Sequence, residues 1–188
     1  MGRRISVGHV RHVALAALAI GAVLVHVGSA YALVAAAVVV LALACAAADR
    51  RDGRIPNAAV AAGALAIIVL GLVAGTIDDR LRPTTVGAVM GVISFALPLL
   101  AVHITSPDGM GLGDVKLGAV LGAGLGAGHV VLAPLALLVA CGAAIIRRVA
   151  TGRLHGAEPF GPALAIGTCT MLLVARPVVA GLGFHWLD

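Results

Sequence analysis

The sequence predicts an all-α fold, a polytopic bundle of about seven transmembrane helices. Hydrophobic residues make up 61% of the chain, and its mean hydropathy is +1.12. Apolar stretches of about 15 to 20 residues recur along the whole length, and each could cross the roughly 30 Å of hydrocarbon in a bilayer. The basic residues fall between these stretches. Together these observations exclude an ordinary soluble domain.

The expected spans follow from the apolar stretches and from the glycines, prolines and charges that separate them. Their approximate bounds are 13–27, 30–48, 57–75, 84–103, 114–127, 129–146 and 161–183. We expect two parts, an N-terminal segment 1–29 with one extra helix and a membrane core 30–188. Residues 1–29 also fit a signal peptide, because two arginines precede an apolar run and Gly28-Ser29-Ala30. Both readings of this segment stay open.

The fifth stretch carries glycines that make it a poor helix on its own. Gly118, Gly122, Gly124 and Gly126 are small enough to let neighbouring helix backbones approach closely. The sequence therefore predicts tight packing around this helix.

The basic residues indicate the orientation of the bundle. With the N-terminus inside, ten of the thirteen lie in cytoplasmic segments, only Arg80 and Arg82 lie in outer loops, and Arg176 falls within the last span. Cytoplasmic loops carry an excess of Lys and Arg, so residues 49–56, 104–113 and 147–160 are predicted to face the cytoplasm. The net charge of +5 does not indicate nucleic-acid binding, because the arginines do not line one face.

The cysteines and histidines give no sign of a metal site or a disulfide. Cys45, Cys141 and Cys169 lie inside apolar runs without CxxC spacing, and the seven histidines are scattered. We expect buried thiols, no metal and no cofactor.

The acidic residues are few, and two of them stand at helix ends on the same membrane face. Asp49 closes the second expected span and Asp114 opens the fifth. Two close carboxyls share a proton, so one can activate water while the other protonates a carbonyl oxygen. That pair would hydrolyse an amide. The alternative is that each is an ordinary boundary charge solvated by lipid headgroups.

Three segments around these acids resemble the type IV prepilin peptidase family. The segment GLGD at 111–114, followed by VKLG, is similar to the family's GxGD motif. Upstream, DRRDGRIPN at 49–57 places an aspartate six residues before Ile-Pro-Asn. Downstream, EPFGPALAIG at 158–167 is similar to the family's PFGP segment. The resemblance covers roughly residues 49–167, with the three motifs in the family's order.

The resemblance implies a membrane aspartyl endopeptidase of the inner membrane that removes leader peptides at the cytoplasmic face. Asp49 and Asp114 would be the catalytic pair, and Gly111 and Gly113 would use glycine's permissive dihedrals to fold Asp114 inward. The other residues that the motifs single out as shaping the site are Lys116, Ile55, Pro56, Asn57, Pro159, Phe160, Gly161 and Pro162.

Each of these shaping residues has an expected effect. Pro56 would restrict the chain entering the third span. Lys116 would either bias the charge of the pair or bind headgroups. Residues 159–162 would break the helix line near the site, either as a simple cap or in contact with substrate.

The expected partners are a prepilin or pseudopilin with a basic leader and an apolar N-terminal helix, together with membrane lipid; no nucleic acid is expected. The paired CxxC motifs of the family's methyltransferase domain are missing, so the chain is similar to the short form beside Flp-type (tight-adherence) pilus systems. The sequence does not give the oligomeric state.

Two other functions remain open at this point. Presenilin-like and signal-peptide peptidases share GxGD chemistry, and Pro162-Ala163-Leu164 is similar to their PAL element, but Asp49 lacks their preceding tyrosine. A proton-coupled transporter could also use intramembrane acids, although the chain shows no internal repeat.

Overall fold

The computed structural model describes residues 7–29, 31–77, 84–106, 110–152 and 159–182, and within these ranges the only regular secondary structure is helical. The helices are α1 (Val7–Leu24), α2 (Ala32–Asp52), α3 (Asn57–Ile77), α4 (Thr84–Thr105), α5 (Leu112–Gly128), α6 (Leu132–Thr151), α7 (Gly161–Leu173) and α8 (Ala175–Gly181). Some residues named above lie outside the described ranges, among them Arg80, Arg82 and the Glu158 that opens the EPFGPALAIG segment.

Glycines end two of the long helices. Gly53 follows α2 with φ of 60°, and Gly152 follows α6 with φ of 67°. This left-handed conformation is open to glycine at little steric cost, and it lets the backbone N–H bond back to the helix it terminates. Gly53 donates to the carbonyl of Asp49 at 3.0 Å, so α2 runs one turn past Asp49. Asp52 is therefore the last residue of α2.

Among the described residues, four helices are long and apolar enough to cross a membrane by themselves. They are α2, α3, α4 and α6, with mean hydropathy between 1.8 and 2.5 over their spans. The last expected span, 161–183, is instead two helices, α7 and α8, bent by 67° at Val174, and the pair could form a fifth crossing. The all-α fold is confirmed, and the chain is a multi-pass membrane protein. The expected number of about seven spans is roughly consistent with this set.

The α4–α5 pair forms the most extensive helix contact in the described part of the chain, and glycines make it possible. Gly122 and Gly126 of α5 lie directly against the backbones of Gly91 and Gly87 of α4. One turn toward the start of α5, Gly118 lies under Phe95. The prediction that these glycines admit close neighbours is confirmed, and their main neighbour is α4.

The remaining contacts bring α2, α5 and α7 together. Helix α7 packs on α6, α2 and α1, while α2 also contacts α3 and α5. The core of this arrangement consists of small and aliphatic residues, for example Ala42, Leu117 and Leu164, which are all fully buried. Van der Waals packing of such residues holds helices together in lipid.

One end of the bundle is fastened by polar side chains. The phenol of Tyr31 donates to the carbonyl of Gly124 at 2.8 Å, and the ring of Tyr31 packs edge-on against buried His26. Nε2 of His26 lies 3.0 Å from the carbonyl oxygen of Leu172, just before the bend in the last span. These bonds join the α1–α2 turn to α5 and α7.

Candidate active site

The opposite end of the bundle holds the carboxyls that the motifs single out. We call it the site end: α2, α4 and α6 finish there, and α3, α5 and α7 begin there. Asp49 and Asp114 both lie at this end and are only 6% and 8% exposed. They are the buried acidic residues of the described chain. Asp52, three residues after Asp49, is exposed to solvent.

Asp49 is held by the first residue of α7. Its Oδ2 accepts a hydrogen bond from the backbone N–H of Gly161 at 2.8 Å, across 112 residues of sequence. A Cβ at position 161 would lie 2.8 Å from that oxygen and 3.1 Å from the Cβ of Asp49, closer than side chains normally approach. Glycine is needed here for space. The sequence placed Gly161 near the site but did not identify it as a hydrogen-bond donor.

Asp114 lies in the first turn of α5, where the helix dipole favours a carboxylate. Its backbone N–H donates to the carbonyl of Gly111 at 3.1 Å. Its Oδ1 is buried and has no hydrogen-bond partner among the described residues. The charge of Asp49 acts on this carboxyl, so the two acids interact across the α2–α5 contact.

Neither Gly111 nor Gly113 has backbone dihedrals that only glycine adopts, and at Gly113 the small size of glycine matters. Gly111 has φ of −74° and ψ of 147°, and in the described ranges only Gly28, Gly53 and Gly152 have positive φ. The expectation that permissive dihedrals fold Asp114 inward is therefore wrong. A Cβ on Gly113 would lie 3.2 Å from the Cβ of Ile55, so glycine at 113 lets the α2–α3 turn pack on the start of α5.

A side-chain hydrogen bond also joins the α2–α3 turn region to the start of α5. Asn57 begins α3, and its Oδ1 accepts a hydrogen bond from Nζ of Lys116 at 3.1 Å. Pro56 precedes α3, and its carbonyl accepts the N–H groups of Ala59 and Val60. The IPN and GLGDVK segments, distant in sequence, therefore lie side by side at the site end. Both side chains of the Asn57–Lys116 bond are exposed.

A cavity of about 380 Å³ adjoins the start of α7. The cavity is lined by Pro159 and Phe160 from the segment before α7, by Met110 from the segment before α5, and by Val102 and Arg147 from the ends of α4 and α6. Phe160 immediately precedes Gly161, and Pro162 occupies the first turn of α7; of residues 159–162, Pro159 and Phe160 border the cavity. Most of the lining is apolar, and Arg147 and Arg148 supply positive charge.

Arg147 is a site residue that sequence reasoning missed. The sequence used it only as a topology signal, yet its positive charge acts on Asp49 from the end of α6. A basic residue at the end of a span is common, so nothing in its local pattern could have distinguished it. No three His, Cys, Asp or Glu residues of the described chain cluster as metal ligands would.

The fold and the site define a class of protein. It is a multi-pass helical membrane protein with two interacting, buried carboxyls at one end of its bundle. A profile of the type IV leader peptidase family matches residues 36–148, more than half of the chain, and includes both aspartates. The chain belongs to the type IV leader peptidase family.

Individual relatives agree with this assignment. A "Prepilin leader peptidase/N-methyltransferase" of Burkholderia pseudomallei is 34% identical over 175 residues, which cover 89% of this chain and 54% of the relative. A protein of the same name from Neisseria gonorrhoeae is 47% identical over 89 residues, covering 46% of this chain and 30% of the relative. The chain spans about half the length of the Burkholderia relative. No solved structure matches.

Proposed function

We propose that the chain is an aspartyl endopeptidase that cleaves the leader peptide from prepilin-like substrates. The observation that carries the proposal is the pair Asp49 and Asp114, drawn from distant helices and buried together at one end of a membrane bundle. Family membership and the names of the relatives support the same reaction. They favour this substrate over the substrates of presenilin-like proteases and over a transporter.

The chemistry follows from two carboxyls that share one proton. Both cannot ionise close together without strong repulsion, so one stays protonated. The charged carboxylate accepts a proton from water as that water attacks the scissile carbonyl carbon. The neutral carboxyl donates to the carbonyl oxygen, which stabilises the tetrahedral intermediate. This reaction requires neither a metal nor a nucleophilic side chain.

The proposed substrate is a prepilin or pseudopilin with a basic leader and an apolar N-terminal helix, including the Flp-type pilins. The scissile segment would enter through the cavity beside Phe160, which adjoins the residue bonded to Asp49. An apolar wall suits the start of the pilin helix, since such a segment is buried in lipid before cleavage.

The site end is proposed to face the cytoplasm of the inner membrane. Six basic residues of the described chain lie at this end, namely Arg50, Arg51, Arg54, Lys116, Arg147 and Arg148. An excess of positive charge marks the cytoplasmic side of a membrane protein. A cysteine placed at Thr151 in a cysteine-free background should react with an impermeant thiol reagent in inverted membrane vesicles and not in intact spheroplasts.

The catalytic proposal is tested with aspartate-to-asparagine variants of the full chain in membranes. Asparagine keeps the shape of aspartate but cannot exchange a carboxyl proton. Asp49→Asn and Asp114→Asn should each reduce the cleavage rate by at least about a hundredfold, the scale of general acid–base catalysis. Asp52→Asn is the matched control, since this exposed carboxyl should be dispensable. Mass spectrometry of the prepilin product measures cleavage. An Asp49→Asn enzyme that works at near wild-type rate would refute the proposal.

A further inference from the structure

The two carboxyls differ in their hydrogen-bond surroundings. Oδ2 of Asp49 accepts the Gly161 N–H at 2.8 Å, whereas Oδ1 of Asp114 is buried without a partner among the described residues. The backbone of Gly111 also interacts with the Asp114 carboxyl, but it leaves that oxygen unsatisfied. The charge of Arg147 acts on Asp49 from α6.

Both carboxyls lie at helix N-termini, where the dipole favours a negative charge, so the difference between them lies in their direct hydrogen bonds. A backbone N–H at the N-terminus of a helix stabilises a negative charge, and α7 supplies this donor to Asp49. A buried carboxylate oxygen that lacks a donor is unfavourable, and protonation removes its charge. The proton shared by the pair is therefore better placed on Asp114.

We propose that Asp49 is the charged general base, that Asp114 is the protonated general acid, and that the Gly161 N–H is the positioning group that maintains this assignment. The inference rests on the proposed function and specifies its mechanism. In this assignment the Asp114 proton goes to the carbonyl oxygen of the substrate, which supplies the partner that the buried Oδ1 lacks among the described residues.

The proton transfers balance in two steps. Water adds to the scissile carbonyl carbon while Asp49 takes one water proton and Asp114 gives its proton to the carbonyl oxygen, leaving a diol. The C–N bond then breaks: Asp49 returns its proton to the leaving amine, and Asp114 takes a proton from one diol hydroxyl. The products are a carboxylic acid and an amine, and each aspartate regains its starting state.

The most direct test of this assignment removes the backbone N–H of Gly161 without adding a side chain. Gly161→glycolate, incorporated as an α-hydroxy acid during translation, replaces the N–H with an ester oxygen. The matched control is Gly167→glycolate, in the interior of the same helix and away from Asp49. The loss of a hydrogen bond to a charged group should lower kcat by about tenfold to a hundredfold with little change in KM. The control should retain most of its kcat.

The pH profile of kcat distinguishes the two role assignments. The titratable and charged groups that interact with Asp49 are Asp114 on α5, Arg147 on α6 and Cys45 on its own helix, and its hydrogen-bond donor is the Gly161 N–H of α7. If Asp49 is the base, losing the N–H makes it easier to protonate, so the acid limb moves to higher pH and the alkaline limb stays in place. A shift of the alkaline limb alone would reverse the roles, and an unchanged kcat and profile would refute positioning by Gly161.

A second variant covers the case in which the ester enzyme does not fold. Gly161→Ala keeps the N–H but places a Cβ 2.8 Å from Oδ2 of Asp49, which must then move away from its donor. It should show the same fall in kcat and the same shift of the acid limb, while Gly71→Ala, with open space around it, should show neither. An unaltered profile in folded Gly161→Ala would count against the inference. A wild-type chain that cleaves no prepilin would instead refute the proposed function.

Discussion

The glycine contact between α4 and α5 makes a quantitative prediction, because two effects of opposite sign compete at Gly122. Gly122→Ala raises intrinsic helix propensity, which is worth up to about 1 kcal/mol in the interior of a helix. Against this, the new Cβ would lie 2.8 Å from the Cβ of Phe95 and 2.9 Å from the carbonyl carbon of Gly91. Neither atom belongs to the mobile end of a side chain, so the helices themselves must separate.

The required separation sets the magnitude. Ordinary contact begins at 3.4 Å, so α4 and α5 must move apart by at least half an ångström at this point. A gap of about 0.5–1 Å forfeits a quarter to a half of the dispersion energy of each contact it opens. Overpacking of this kind costs about 1–3 kcal/mol, which exceeds the gain in propensity. We expect Gly122→Ala to destabilise the bundle.

The assay is thermal unfolding of the purified chain in one detergent, combined with prepilin cleavage. The matched control is Gly71→Ala in α3, where an added Cβ meets nothing within 4 Å and only the gain in propensity remains. The control should melt at or above the wild-type temperature, and Gly122→Ala below it. Cleavage should also slow in Gly122→Ala, because α5 carries Asp114. Equal melting temperatures for the two variants would refute this account of the contact.

Two further predictions concern the ends of the bundle. Tyr31→Phe removes the buried hydrogen bond to the carbonyl of Gly124 and should destabilise the chain by about 0.5–1.5 kcal/mol in the same melting assay. An unchanged melting temperature would mean that this hydrogen bond does not stabilise the contact between the start of α2 and α5. Ala144→Phe places a ring in the cavity beside Phe160 and should raise the KM for prepilin several-fold. Leu138→Phe, on the exposed side of α6, is the control and should leave KM unchanged. Equal KM values for the two variants would exclude this cavity as the path by which the substrate enters.

The sequence by itself determined the helical fold, the approximate position of most helices, the family and the two candidate carboxyls. These properties are local: hydropathy over about 20 residues predicts a membrane helix, and glycine, proline and charge mark its ends. The expected starts of the third and fourth helices, at 57 and 84, coincide with those of α3 and α4. Asp49 and Asp114 stood out because acidic residues are scarce in so apolar a chain and lie here within recognisable motifs.

Only the tertiary structure decided which residues meet. The Gly161 N–H reaches Asp49 across 112 residues, and the charge of Arg147 acts on Asp49 from α6. The break at Val174 divides what hydropathy treats as one span, and three glycines of α5 pack on α4 while Gly124 faces Val38 of α2. Hydropathy measures how favourably a segment partitions into lipid and carries little information about which helix lies beside it. Neighbours in a bundle are chosen by shape and by single hydrogen bonds, and both depend on residues far apart in the chain.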